Sequence, residues 1–274
     1  MVMGHLRRGI MAVSGGVDVA NLIIGGSCTF QDYGVVQMNE GDYRLLAIIY
    51  SGNLVPAQPI NMEVCVVGGG ANGLKKGSNV GTTTHVGGAG AYMKNQAIEA
   101  FEGGAAVVGA AQGASSIGGV SVNTVSGKNG GTGGGGFGTA STVGGTGDGL
   151  SKYPFGDCDY ERWSGKPHCA GGAGGGYYHP SNGSYKGGNG GTNGSSGSNA
   201  TGGSASDDAS PGTGGSYGGG NGGRASYDLG SRGGDATYYG SGGGSQGYSN
   251  GFYGDKNSGS GYQGIIYVRI PVIQ

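Results

Sequence analysis

The sequence predicts a mostly irregular and β protein: a sandwich-like bundle of glycine-rich polyproline II helices on a small β-strand base, with little α-helix. Three observations lead there. Glycine supplies 73 of the 274 residues, gathered in tracts such as "VGGGANG" (67–73), "GGTGGGGFG" (130–138), "GGAGGGYYHP" (171–180), "GGNGGTNG" (187–194), "GGSYGGGNGG" (214–223) and "GSGGGSQGY" (240–248). Apolar, β-branched segments bracket the tract-bearing region on both sides. Aromatic residues, among them 17 Tyr, stand inside and beside the tracts, where a solvated linker has no use for them.

The β base is read first. "YRLLAIIY" (43–50) and "MEVCVV" (62–67) are rich in strand-forming residues. The intervening "SGNLVPAQP" supplies turn chemistry through Gly52, Pro56 and Pro59. The C-terminal "GIIYVRIPVIQ" (264–274) alternates Ile266, Val268 and Ile270 on one face with Ile265, Tyr267 and Arg269 on the other. Pro271 cannot donate to a ladder and so marks an edge or a strand end. One strand enters the glycine region at Val67 and another leaves it at Gly264, and the two are expected to pair. Between the tracts run more varied segments, which read as loops at the ends of a scaffold. The segment 91–129 is one of them, with a helical turn expected over Asn95 to Phe101. The chain divides into residues 1–50, an N-terminal attachment and β segment, and 51–274, the glycine-rich domain closed by a strand over 264–272.

Glycine disfavours α-helix by about 1 kcal/mol per residue and offers a β-sheet no side chains to pack. Polyproline II remains, rising about 3.1 Å per residue, so that a nine-residue tract would span about 28 Å. Its N–H and C=O groups need partners outside their own segment, and chains without side chains approach closely enough to supply them. Collagen is excluded by the absence of a sustained Gly-X-Y period. A closely packed backbone network is thus expected to replace a hydrophobic core, with aromatics sealing its outer faces or loop ends.

A net charge of −1 gives no electrostatic footprint for nucleic acid or an anionic membrane. No run approaches the roughly 18 apolar residues of a membrane span, and polar residues interrupt the N-terminus too early for a secretory signal. Four cysteines are too few for a disulfide scaffold. Cys28 and Cys65 read as small core residues. Cys158 and Cys169, in "CDYERWSGKPHC", could close a short loop if oxidised. A metal site from Cys158, His168 and Cys169 matches neither the spacing nor the ligand count of a zinc motif. "GGGANGLKKG" (68–77) resembles a phosphate-cradling loop but lacks the Gly-Lys-Ser/Thr ending. Asp157, Asp159 and Glu161 have no partner that defines glycosidase chemistry, and no nucleophile with a base is apparent. Asp207 and Asp208 read as a solvated acidic turn rather than a calcium loop. No catalysis, cofactor or metal is expected.

"LVPAQPINMEVCVVGGGANG", followed much later by "GSGYQGIIYVRIP", resembles the opening and closing of the glycine-rich domain of bacteriophage tail and receptor-binding proteins. The resemblance covers roughly residues 50 to 274. The plan is also similar to that of the tip adhesins of T-even-like long tail fibres, in which a polyproline II sandwich carries variable loops. It implies a virion protein of the tail tip, assembled in the host cytoplasm, which binds a bacterial outer-membrane protein or glycan and attaches through its N-terminal region to another tail-fibre or baseplate protein. Residues 1–50 match no family and depart from the aromatic-rich attachment segment of those tips.

Receptor contact is expected of loop aromatics, which offer large contact area at low entropic cost. The least glycine-like insertion, "YPFGDCDYERWSGKPHC" (153–169), contributes Tyr160, Arg162, Trp163 and His168. Tyr177 and Tyr178 follow a tract directly, and Tyr238, Tyr239, Phe252 and Tyr253 stand near the C-terminal tracts. The function expected is host recognition by an adhesin. The alternatives are a structural virion decoration or cell-surface protein, and, less consistent with so few cysteines, a glycine-rich receptor ectodomain.

Overall fold

The computed structural model describes residues 22–74, 87–125, 153–157, 160–162, 166–179, 183–192, 201–202, 211–225, 230–249 and 257–272. In chain order the strands are β1 Ile24–Gly26, β2 Thr29–Met38, β3 Gly41–Tyr50, β4 Gly52–Pro56, β5 Ile60–Val67, β6 Met93–Phe101, β7 Gly104–Val107, β8 Ser116–Ile117, β9 Val120–Ser121, β10 Tyr177–His179, β11 Gly183–Lys186, β12 Thr201–Gly202, β13 Tyr248–Ser249 and β14 Ile265–Pro271. Pro154–Gly156 forms a short 3-10 turn.

The alternation at the C-terminus decides the centre of the molecule. β14 lies in the middle of an antiparallel sheet of order β2-β3-β14-β5-β6. Ile266 faces Ile48 and Val66, and Val268 faces Leu46 and Val64, on one surface. Tyr267 faces Ala47 and Cys65 on the other. Val67 is opposite Ile265, the pairing expected of the strands that enter and leave the glycine region. Pro271 ends β14 opposite Tyr43, so its missing N–H falls at a strand end of a central strand. β3, from the segment 1–50, pairs with β14, which closes the glycine-rich region.

The Ile266 face packs against a second antiparallel five-stranded sheet, β1-β4-β7-β8-β9, through Leu54, Ala106, Ile117 and Val120. Each fully buried aliphatic side chain there contributes about 1.5–3 kcal/mol. The opposite face, with Leu45, Ala47, Cys65, Val67 and Tyr267, receives the glycine region through Ala71, Ala89, Ala91 and Cys169. A small sheet of order β12-β11-β10-β13 lies within that region.

This corrects the expected fold class. The described residues are mostly β, built on two antiparallel five-stranded sheets, and no polyproline II helix is assigned among them. The β part is therefore not a small base. The segment from residue 91, expected to be loop with a helical turn over Asn95 to Phe101, instead supplies β6 to β9. Its residues are weak strand formers, but Met93 to Phe101 lies along the edge of β5 and pairs with it, and that partner outweighs local preference. Cys28 and Cys65 are buried core residues.

The glycine tracts are ordered by their backbones. Successive N–H groups of residues 171–174 donate to Gly191, Gly88, Gly220 and Gly188. They thus turn to three different segments, and the first and fourth return to the same one. Residues 242–245 do likewise, toward Ala170, Ala71, Gly234 and Ala173. A two-sided ladder cannot supply this many neighbours, and side chains would prevent it. A Cβ at Gly172 would lie 2.0 Å from the Gly243 carbonyl oxygen, and one at Gly88 2.1 Å from that of Ala71. Each of these bonds spares a buried backbone group the cost of lacking a partner, about 1–3 kcal/mol.

A pair of alanine variants separates this close approach from glycine's general flexibility. Gly172→Ala drives a methyl into backbone on the facing tract and is expected to cost about 3 kcal/mol or more, as severe overpacking does. Gly25→Ala, where the nearest atom would be 3.9 Å away, is expected to change stability by less than about 1 kcal/mol. Denaturant unfolding of both variants checks the contrast.

Candidate functional site

Residues 153–157 meet the central sheet at one arginine. Arg269, 4% exposed, lies between the rings of Tyr43 (4.4 Å) and Phe155 (4.6 Å). It donates to Glu63 at 2.7 Å and to Glu40 at 2.5 Å. Phe155 reaches it from a turn in which Pro154 is buried and Phe155 itself takes a φ of 57°. Asp157 then clamps the segment to the β2–β3 hairpin: one carboxylate oxygen accepts the Asn39 N–H at 3.0 Å and the other the Tyr160 N–H at 3.1 Å.

Between this segment and β2 lies an open cleft of about 630 Å³, lined by Tyr33, Val35 to Asn39, Asp157, and Tyr160 to Arg162. Tyr160 is buried, and desolvation holds its phenol above the ordinary value. Arg162 is exposed; its guanidinium covers the Tyr33 ring at 4.7 Å and lies 3.8 Å from Glu161. The cleft is thus walled by an aromatic ring, two opposite exposed charges and the outermost strand of the sheet.

An aromatic cluster lies beside it. The buried ring of His168 packs on Tyr238 at 4.9 Å and edge-on to Tyr267 at 5.6 Å, and Tyr239 packs on Tyr238 at 5.5 Å and on Tyr262 at 5.6 Å. Tyr238 and Tyr239 are half-buried, and Tyr262 is 37% exposed. Burial, and after it neighbouring phenols that include Tyr33, raises the pKa of both Tyr238 and Tyr239. Tyr33 and Tyr239 both pack against the buried cluster on the Tyr267 face of the central sheet.

Several residues expected to contact a receptor lie elsewhere. His168 has no exposed surface, and its Nε2 lies 3.1 Å from the Tyr267 hydroxyl, so it is an interior residue rather than a loop contact. Tyr160 is likewise a packed residue. Arg162, Tyr238 and Tyr239 do reach the surface. Tyr177 and Tyr178 fall on β10, paired with Tyr185 and Ser184 of β11. Trp163, Phe252, Tyr253 and Cys158 lie outside the described residues, as do Asp207 and Asp208. Cys169 is buried at the junction with the glycine layer, in a left-handed conformation with φ 61°. The N–H groups of Gly68 to Ala71 and Gly73 are bonded to carbonyls of other segments, so these five are not turned toward a phosphate. The sequence reading missed β2. "TFQDYGVVQM" is strand-like in composition, but Asp32 and Gly34 obscure its alternation, and the register shifts between Asp32 and Val35.

Comparison with protein-family models, curated proteins and solved structures finds no match.

His168 gives the site region a pH dependence. Complete burial lowers its pKa to about 3, so the folded protein resists taking up a proton that the unfolded chain accepts near 6.5. Stability is unaffected above that value and falls as pH drops from about 6.5 toward 3. Replacing the ring in His168→Phe is expected to flatten this part of the profile, measured as unfolding midpoints between pH 7 and 4.

Proposed function

We propose that the protein is a binding protein of the bacteriophage tail-tip type, an adhesin that recognises a bacterial surface receptor and does no chemistry on it. The observation that carries the reading is the juxtaposition of surface tyrosines and an exposed arginine on a backbone-locked scaffold. Tyr33, Tyr238, Tyr239 and Tyr262 share one region with Arg162, and the tracts beneath them are tied backbone to backbone. Tyrosine and arginine are, with tryptophan, the side chains enriched where protein contacts carry the most energy. A rigid support lets them bind without the entropy loss of ordering a loop. An elastic glycine-rich structural protein would need mobile tracts and scattered aromatics instead. Attachment to a tail-fibre or baseplate protein through the N-terminal region belongs to the same proposal.

The test is binding of labelled purified protein to a panel of bacterial strains. Strain-selective binding is expected, reduced at least tenfold in Arg162→Ala and Tyr239→Ala variants that unfold at the wild-type midpoint. Absence of binding to every strain, with both variants indistinguishable from wild type, would overturn the reading in favour of a structural virion component.

A further inference from the structure

The cleft faces the edge of a strand, not the face of a sheet. Val35, Val36, Gln37, Met38 and Asn39 all line it. Successive side chains of a strand point to opposite faces, so five consecutive residues border one cleft only when it runs along the strand's edge. β2 is the outermost strand of the central sheet, with β3 on its other side. The outer edge of such a strand carries N–H and C=O groups turned away from the ladder at alternate residues.

Both ends of that edge are closed. The Asn39 N–H is taken by Asp157, and the Gly34 N–H folds back to Asp32 Oδ1 at 2.9 Å, where the register shifts. Between them, Val35 to Met38 make no backbone hydrogen bond outside the β2–β3 ladder among the described residues. Natural edges are commonly blocked by charge, and β6, at the far side of the same sheet, exposes Lys94 and Glu99. "YGVVQM" (33–38) has no charge, and Val35 is 46% exposed.

We infer that the edge of β2 takes an extended peptide segment of a partner protein, which adds as a sixth strand to the central sheet. The inference rests on the reading as a binding protein and names its ligand as protein rather than glycan. Five residues of strand, at about 3.4 Å each, about 4.8 Å from β2 and about 10 Å thick, need on the order of 800 Å³. The cleft, about 630 Å³ and open to solvent, is of that order, so an added strand would fill it and extend into solvent. Asp157, Tyr160, Glu161 and Arg162 form the facing wall, across the cleft from the strand edge. Bonds to the outward-facing backbone groups among Val35 to Met38 give affinity. Glu161 and Arg162, opposite in sign and exposed, select a peptide with a base and an acid at matching positions.

The full chain, panned against a displayed library of random twelve-residue peptides, tests this. A selected peptide is expected to slow amide hydrogen exchange at least tenfold at those of residues 35–38 whose N–H faces the cleft. Of Val35→Pro and Val36→Pro, the one whose N–H faces the cleft is expected to keep the wild-type unfolding transition and bind the peptide at least tenfold more weakly. The other loses a ladder bond to β3 and is destabilised. If both unfold, Val35→Lys, which charges the edge, takes their place with the same expected loss. Failure to select any peptide, protection only elsewhere, or protection of 35–38 by self-association of the chain would each overturn the inference. Cell binding without peptide binding defeats this inference alone; peptide binding without cell binding defeats the adhesin reading instead.

Discussion

The architecture depends on backbone meeting backbone without intervening side chains. Where Gly88, Gly172 and Gly243 pass one another, carbonyl oxygens occupy the places that Cβ atoms would need. The N–H of Gly172 reaches Gly88 and that of Gly88 reaches Gly243, at 2.7 and 2.8 Å. Ordering glycine is entropically expensive. The compensation here is a dense set of mutually satisfied hydrogen bonds in a water-poor layer, where leaving any one unmade is costly. Because each tract bonds to several others, the layer is cross-linked in more than one direction.

The central sheet joins this layer to an ordinary hydrophobic core. Its Ile266 face is filled with aliphatic side chains against the second sheet, and its Tyr267 face uses the small residues Ala71, Ala89 and Ala91 to dock glycine backbone. Arg269 stands on that same face, where the glycine layer gives way to the segment 153–157. There it exchanges apolar packing for two carboxylates and two aromatic rings. Its guanidinium is buried while Glu63 and Glu40 keep part of their surface in water, and its contact with the Phe155 ring couples the position of the segment, and with it the far wall of the cleft, to the central sheet.

Much of this was legible in the residues. The alternation from Ile265 to Ile270 gave both faces of β14, and the valines at 66 and 67 with Gly264 gave its pairing with β5. The tracts signalled close backbone approach. What the sequence could not show was pairing that depends on a distant partner. Asn95 to Phe101 carries no strong β preference and becomes a strand because β5 offers an edge; β2 hides its period behind an irregularity at Asp32 to Val35. His168 looked like a loop residue because it follows a polar insertion. Only Tyr238, Tyr239 and Tyr267, 70 to 99 positions later in the chain, make its surroundings interior. The candidate site was half legible: the insertion was picked out, while the strand it faces was not.

The most direct measurement of the central claim is residue-resolved amide hydrogen exchange of the glycine tracts. If the backbone layer is a core, the amides of Gly88, Gly172, Gly242 and Gly243 exchange as slowly as those of Ile266 and Val268 in β14, and open only with the whole molecule. Exchange of those glycines near the rate of an unstructured peptide, while β14 stays protected, would contradict it and reduce the tracts to a coat around an independent β-sandwich.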